Sequence, residues 1–294
     1  MTAPNLVAPV FVVLWSTGFI SAKLGLPYAE PLTFLAVRFG LVALLMAAWV
    51  WISGARWPNG QQWREQALIG ALVHFFYLGG VFVAISRGIE AGLSALIVGL
   101  QPVVMALMTM ALLGERMVIT QWLGMALGLA GVALVVLRKL DAGVGDWAGV
   151  AICAVGLIGI ALGTILQKRL SQDTPQRAGF AIQFGAASAC CGICALLFED
   201  TTIEWAPPMI VAMTWSIVVL SFGAVTLLYV LIRRGAASNV ASLFFLVPPC
   251  TALMAWGLFG EVMGWVEIGG LCLTALGVLA VNRPDLFRRH RRTI

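Results

Sequence analysis

Apolar stretches with the length of a membrane-spanning helix follow one another along nearly the whole chain. A helix needs about 20 residues to cross the hydrocarbon core of a bilayer. Short segments with turn residues and charges separate the stretches, and the alternation typical of a transmembrane β-barrel is missing from the sequence. The pattern predicts an all-α polytopic membrane protein with ten transmembrane helices, over residues 6–25, 32–53, 67–88, 92–112, 117–137, 147–168, 178–198, 208–232, 237–258 and 263–281.

The two halves of the chain repeat each other. A gap-free shift of 146 positions aligns Pro102 with Pro248, Gly114-Glu115 with Gly260-Glu261, and Lys23 with Arg169. The duplication predicts two five-helix repeats, residues 1–140 and 147–283, followed by a basic tail at 284–294. Because each repeat has an odd number of helices, the two must cross the membrane in opposite directions. This is an inverted repeat around a central cavity, an arrangement common in transporters.

Composition and charge agree with a membrane protein. Of the 294 residues, 61% are hydrophobic and 11% are charged, whereas a soluble domain has about 25% charged residues. Most Lys and Arg residues fall in the loops and tail that are cytoplasmic if the N-terminus is cytoplasmic, so both termini are expected inside. The net charge of +5 follows from this bias and is therefore no sign of nucleic-acid binding. The expected partner is the lipid bilayer, with no nucleic acid.

No acidic residue falls in the middle of a predicted span. Ion-coupled pumps commonly place a carboxylate there, so its absence argues against a bound small cation or a cationic substrate. The six cysteines lie in apolar runs without a nearby His or carboxylate, which predicts neither a metal site nor a disulfide framework. With two histidines in the chain and no catalytic cluster, we expect no enzyme and no catalytic residue. No P-loop is present, and no cofactor is expected.

A few polar and aromatic side chains fall deep in the predicted spans and are candidates for binding a small-molecule substrate. His74 is either a lining residue or a proton carrier, and Tyr77, three residues later, is expected on the same helix face. Gln101 either joins two helices or faces the cavity. The full set of candidate substrate-binding residues is Trp15, Phe19, His74, Tyr77, Ser94, Gln101, Thr164, Tyr229 and Phe245.

Two prolines related by the repeat, Pro102 and Pro248, fall in the middle of predicted spans. Proline removes a backbone hydrogen bond and bends a helix, so these residues are either paired hinges or static kinks. Arg38, about two turns into the second span, either holds a substrate carboxylate or extends to the membrane surface.

These motifs together resemble one family. The Trp15–Phe19 opening, Arg38-Phe39 in the second span, and the two Pro…Gly-Glu pairs resemble the EamA-type drug/metabolite transporter superfamily over essentially the whole chain. The resemblance is greatest to bacterial inner-membrane exporters of aromatic amino acids. It implies a ten-helix basket whose cavity is lined by spans 1, 3, 4, 6, 8 and 9, with spans 5 and 10 packed behind.

We therefore expect a bacterial inner-membrane transporter that exports aromatic amino acids or similar amphipathic metabolites by alternating access and facilitated diffusion. The direction of transport follows from the resemblance alone. The alternative is a proton-coupled multidrug or metabolite exporter with the same fold. The sequence leaves the oligomeric state open, and a monomer is compatible with it.

Overall fold

The structure is a computed structural model that describes residues 7–113, 117–225, 227, 231, 244–262 and 264–282. These residues form helices and connecting loops, and the only strand-like feature among them is one bridge between Ala29 and Ile203. The helices are α1 Val7–Gly25, α2 Pro31–Ile52, α3 Gly60–Ser86, α4 in two segments (Ala91–Val98 and Gln101–Leu113), α5 Ile119–Asp141, α6 Trp147–Leu170, α7 Gln176–Phe198, α8 Pro207–Ala224, α9 (the 3₁₀ turn Phe244–Leu246 and the α-helix Val247–Phe259) and α10 Trp265–Asn282.

The described helices have the length and composition of membrane spans. The first eight, α1 to α8, are each long and apolar enough to cross a bilayer, and α9 and α10 are shorter apolar helices. Their outer surface is apolar as well: Trp51, Phe198 and Trp265 are 82%, 79% and 88% exposed. A soluble monomer rarely exposes large contiguous apolar patches, so this surface fits a protein surrounded by lipid.

Helices of the first half pack mainly against helices of the second half. α2 lies along α7, α5 lies along α10, α4 contacts α9, α1 contacts α8, and α3 contacts α6. The α5–α10 contact is close because glycines face each other: a Cβ on Gly124 would lie 2.6 Å from the carbonyl oxygen of Gly277. Small residues of this kind let the backbones of membrane helices approach.

Two helices contain a wide π-helical segment. In α3 it covers Ala71–Gly79, and in α8 it covers Ser216–Ala224. π-helical turns are rare in proteins and occur frequently at functional sites. In α3 the segment carries His74 and Tyr77, so the side-chain directions expected for an α-helix do not apply there.

The sequence predicts Pro102 and Pro248 in the middle of continuous helices, but in the structure both lie in the first turn of a helix. α4 is interrupted at Gly99 and Leu100, and Pro102 is in the first turn of the following segment, Gln101–Leu113. Pro248 is likewise in the first turn of Val247–Phe259. A proline in a first turn removes no helical hydrogen bond, because that N–H has no intrahelical partner. The discontinuity in the fourth helix is therefore at Gly99 and Leu100, before the proline.

The ion pairs between described residues all lie at one end of the bundle, which we call the charged end. Three ion pairs join described residues there, between Lys23 and Glu261 (2.5 Å), between Lys139 and Glu90 (2.8 Å), and between Arg87 and Asp146. Asp146 also accepts a hydrogen bond from the backbone N–H of Gly149, at the start of α6. The Arg87 guanidinium and this N–H hold the pKa of Asp146 below its ordinary value.

Glu261 is the most buried member of the charged end, at 7% exposure. Besides Lys23 it binds the backbone N–H groups of Ala91 (3.1 Å) and Gly92 (3.3 Å) in the first turn of α4. A carboxylate is stabilised at a helix N-terminus by the unpaired N–H groups and the helix dipole. Glu261, which follows the end of α9, thus joins this part of the chain to the end of α1 and to the start of α4.

Candidate functional site

An aromatic cleft lies in the interior where α1, α3, α4 and α9 meet. Its lining includes Trp15 and Phe19 from α1, Tyr77 from α3, and Phe244 from α9. The Trp15 ring is 5.4 Å from that of Phe11 and 5.5 Å from that of Phe244, the latter edge-on. Edge-to-face packing of this kind is favourable for aromatic pairs. The cleft therefore has an ordered aromatic wall.

The polar part of the cleft lies at the interruption of α4. Gln101, the first residue after the interruption, lines the cleft beside Pro102 and Pro248. Its amide nitrogen is 3.3 Å from the hydroxyl oxygen of Thr164 on α6. Gln101 thus both faces the cleft and joins α4 to α6, so its position agrees with a lining residue as well as with a residue that connects two helices.

The cleft is nearly closed in this conformation. The space free for the centre of a water-sized sphere is about 10 Å³, which is close to the minimum for one water molecule. An aromatic amino acid does not fit, so the helices around the described part of the cleft must separate before such a solute enters.

The structure separates His74 from Tyr77, which the sequence places on one helix face. Tyr77 lines the cleft, whereas the imidazole of His74 stacks on Phe184 of α7 with ring centroids 4.2 Å apart. The π-helical segment changes the angle between their side chains from the one expected in an α-helix. His74 is 8% exposed, and neither of its ring nitrogens has a hydrogen-bond partner among the described residues.

Several other candidates lie apart from the cleft or outside the description. The hydroxyl of Ser94 is buried without a hydrogen-bond partner among described residues, and the Ser94 carbonyl faces the thiol of Cys153. Tyr229 and the side chain of Phe245 lie outside the described residues. Substrate binding by these residues stays a prediction.

A second small cavity lies at the charged end and was not expected from the sequence. Its free space is about 20 Å³, and its lining includes Glu90, Lys139, Glu261 and Glu267. The sequence contains one relevant signal, the repeated Gly-Glu pair at Gly260-Glu261. Which groups Glu261 would contact depends on helices that are distant in sequence, so the signal alone does not reveal the cluster.

Comparison with known proteins identifies the family. The profile of the EamA-like transporter family matches residues 3–137 and again residues 147–283. The chain belongs to the EamA-like transporter family. Membership and the apolar helices together show that this EamA protein is a membrane transporter.

Curated relatives are transporters too. An uncharacterised inner membrane transporter of Escherichia coli, YedA, is 25% identical over 92% of this chain and 87% of its own length. A Salmonella typhimurium protein named a probable amino-acid metabolite efflux pump is 28% identical over 92% of both chains. A protein of Streptantibioticus cattleyicolor named a probable terminal-alkyne amino-acid exporter is 27% identical over 95% of this chain and 93% of its own.

A solved structure supports the fold of this EamA protein. That crystal structure superposes with a TM-score of 0.68 and covers 98% of both chains at 20% sequence identity. The likeness concerns the helical architecture alone.

Proposed function

We propose that this EamA transporter exports aromatic amino acids or similar small amphipathic metabolites from the bacterial cytoplasm, by alternating access and facilitated diffusion. The observation that carries the proposal is the cleft, which combines an aromatic wall at Trp15 with the half-buried amide of Gln101. An aromatic wall suits a flat apolar ring, and a polar group in the cleft orients a solute's polar end. The names of the Salmonella and Streptantibioticus relatives agree with an amino-acid solute.

The alternating motion would come from two inverted five-helix halves, residues 1–140 and 147–283. Support comes from the repeated sequence and from the packing of helices of one half against helices of the other, including the counterpart pairs α2 with α7, α4 with α9 and α5 with α10. Bending would occur at the interruption of α4 before Pro102 and at the 3₁₀ turn of α9 before Pro248. The halves would then rock about the cleft.

The protein would lie in the inner membrane with both termini in the cytoplasm, as the distribution of Lys and Arg indicates. A green fluorescent protein fused to the C-terminus tests this orientation, since it fluoresces in the cytoplasm and fails to mature after Sec export. A dark fusion at normal expression would contradict the proposed orientation.

The solute is tested by uptake of radiolabelled tryptophan or phenylalanine into proteoliposomes that contain the purified protein. We expect saturable uptake that Trp15→Ala weakens about two- to tenfold, the range that corresponds to loss of one ring contact. Trp51→Ala is the matched control, because Trp51 is 82% exposed on the outer surface. Failure of both amino acids to enter would overturn the substrate assignment.

Proton coupling is the second candidate mechanism, and His74 is the observation that favours it. Its buried imidazole has two nitrogens without partners among the described residues, and imidazole exchanges protons in the physiological range. An imposed pH gradient decides between the mechanisms. Uptake that ignores the gradient supports facilitated diffusion, and gradient-dependent uptake that His74→Phe abolishes supports a proton carrier.

A further inference from the structure

Arg38 is a buried cation without an anionic partner in the described part of the chain. It lies in α2, is 4% exposed, and forms none of the ion pairs found between described residues. Of the acidic residues, only Glu115 and Asp285 lie outside the description. Arg38 does not extend to the membrane surface, which was the alternative left open by the sequence.

The contacts of Arg38 satisfy only part of its hydrogen-bonding capacity. One guanidinium nitrogen, Nη2, donates a long hydrogen bond (3.4 Å) to the hydroxyl of Ser221 on α8, and Nε has no partner among the described residues. The guanidinium carbon lies 5.5 Å from the centroid of the Phe39 ring. One long bond and one aromatic face offset little of the cost of moving a guanidinium out of water.

His74 adds a second unsatisfied polar group next to Arg38. Its ring centroid is 5.6 Å from the same Phe39 ring, and both of its nitrogens lack partners among the described residues. The nearby Gln183 uses its amide nitrogen on Gln66 and Gln167. Two groups able to donate hydrogen bonds, one of them always charged, therefore share this interior region, and neither forms an ion pair with a carboxylate among the described residues.

We propose that Arg38, with His74 and Ser221 beside it, forms an anion subsite that holds the carboxylate of the transported solute. A carboxylate carries one negative charge and two oxygens in the geometry that a guanidinium binds bidentately. The subsite and the aromatic cleft share the π-helical segment of α3, which carries His74 at the subsite and Tyr77 at the cleft. A phosphate group fits less well, because its greater charge calls for more than one cation.

This inference rests on the proposed function for the identity of the solute, and it changes where the solute's polar end binds. The ring would occupy the cleft beside Trp15, while the carboxylate would extend past Tyr77 to Arg38. Gln101 and Thr164 would then be left to bind the amino group or a bridging water. An amine of the same ring size without a carboxylate would bind much less tightly.

The experiment measures binding of radiolabelled tryptophan to the purified full-length protein in detergent, in competition with ring-matched ligands. Indole-3-propionate keeps the carboxylate, whereas tryptamine and tryptophanamide lack it. We expect indole-3-propionate to compete, and the other two to compete at least tenfold more weakly. Arg38→Gln removes this discrimination and Arg38→Lys retains part of it, while Arg56→Gln, which deletes an exposed loop charge, changes nothing.

Equal competition by tryptophan and tryptophanamide in the wild type would overturn the inference, and so would full discrimination in a folded Arg38→Gln variant. If Arg38→Gln does not fold, as judged by gel filtration, the inference is tested by the wild-type ligand series and by the discrimination that Arg38→Lys retains. If the wild type binds none of these indole ligands, the proposed solute fails and the subsite is tested with benzoate. A rise in melting temperature with benzoate that exceeds that with chloride and needs Arg38 supports the subsite, and any other result overturns it.

Discussion

Replacing Glu261 with glutamine tests whether the charged end holds three helices together. The carboxylate is 7% exposed and binds Lys23 at 2.5 Å and two backbone N–H groups at the start of α4. Glutamine keeps the size and one acceptor oxygen but loses the charge. Losing a helix-terminal acceptor costs about 1 kcal/mol, and losing a negative charge at a helix N-terminus costs about 0.3–1 kcal/mol.

The ion pair adds a third contribution. Lys23 is 31% exposed, so it can turn toward water once its partner is neutral. The cost of losing the ion pair is therefore close to that for a surface pair, about 1 kcal/mol or less. We therefore expect Glu261→Gln to lower the free energy of unfolding by about 2 kcal/mol in total. Lys23→Met alone should cost less, because the helix contacts of Glu261 remain.

Denaturant unfolding of the purified protein in detergent micelles measures these values, and the double variant completes a cycle with the two single variants. We expect an interaction energy of about 1 kcal/mol between the two positions. Glu204→Gln is the control, because Glu204 is an exposed carboxylate. A Glu261→Gln variant as stable as the control, or a cycle with strictly additive effects, would refute the reasoning.

Three further predictions address packing, pH and transport. Gly277→Ala should lower stability by about 1–3 kcal/mol, because its Cβ would lie 2.7 Å from a Cα of α5. The control Gly269→Ala should be neutral or stabilising, because a Cβ there would have no atom within 4 Å. Equal effects of the two substitutions in denaturant unfolding would contradict this prediction. The pKa of Asp146 is lowered in the folded protein by Arg87, so the pair stabilises the fold above the ordinary value of 3.8 and loses this effect as the pH falls through the folded pKa. Asp146→Asn should therefore lose less stability than the wild type between neutral and acidic pH, and an unchanged pH profile would count against the pair. Gln101→Leu should slow tryptophan uptake into proteoliposomes while changing stability by about 1 kcal/mol, and normal uptake would remove Gln101 from the site.

Much of the helical layout follows from the sequence, because long apolar stretches in a bilayer have few alternatives to a helix. The start of α3 is an exception. The predicted span begins at residue 67, whereas the helix begins at Gly60, where Asn59 and Gln62 exchange hydrogen bonds between side chain and backbone. This capping arrangement extends the helix beyond the apolar stretch, so hydropathy alone places the start too late.

The site is less predictable, because it depends on helix rotation and on contacts between distant segments. Trp15 and Gln101 were expected in the interior, and the structure places both in one cleft. His74 was expected beside Tyr77, but the π-helical segment directs it toward Phe184. No spacing rule identifies such a segment from the sequence, and the side-chain angles calculated for an α-helix then fail.

The two π-helical segments also bear on the history of the protein. Ala71–Gly79 and Ser216–Ala224 occupy corresponding places in the third helix of each half, separated by a shift of 145 positions. A π-helical turn holds one residue more than the α-helical turn it replaces, and gaining it at the same place in two separate genes requires two events. Under the proposed duplication one event is enough, because an ancestral five-helix protein that already carried the wider turn was copied and joined. The wider turn would then be older than the ten-helix chain, and a present-day five-helix descendant of that ancestor should carry it in its third helix.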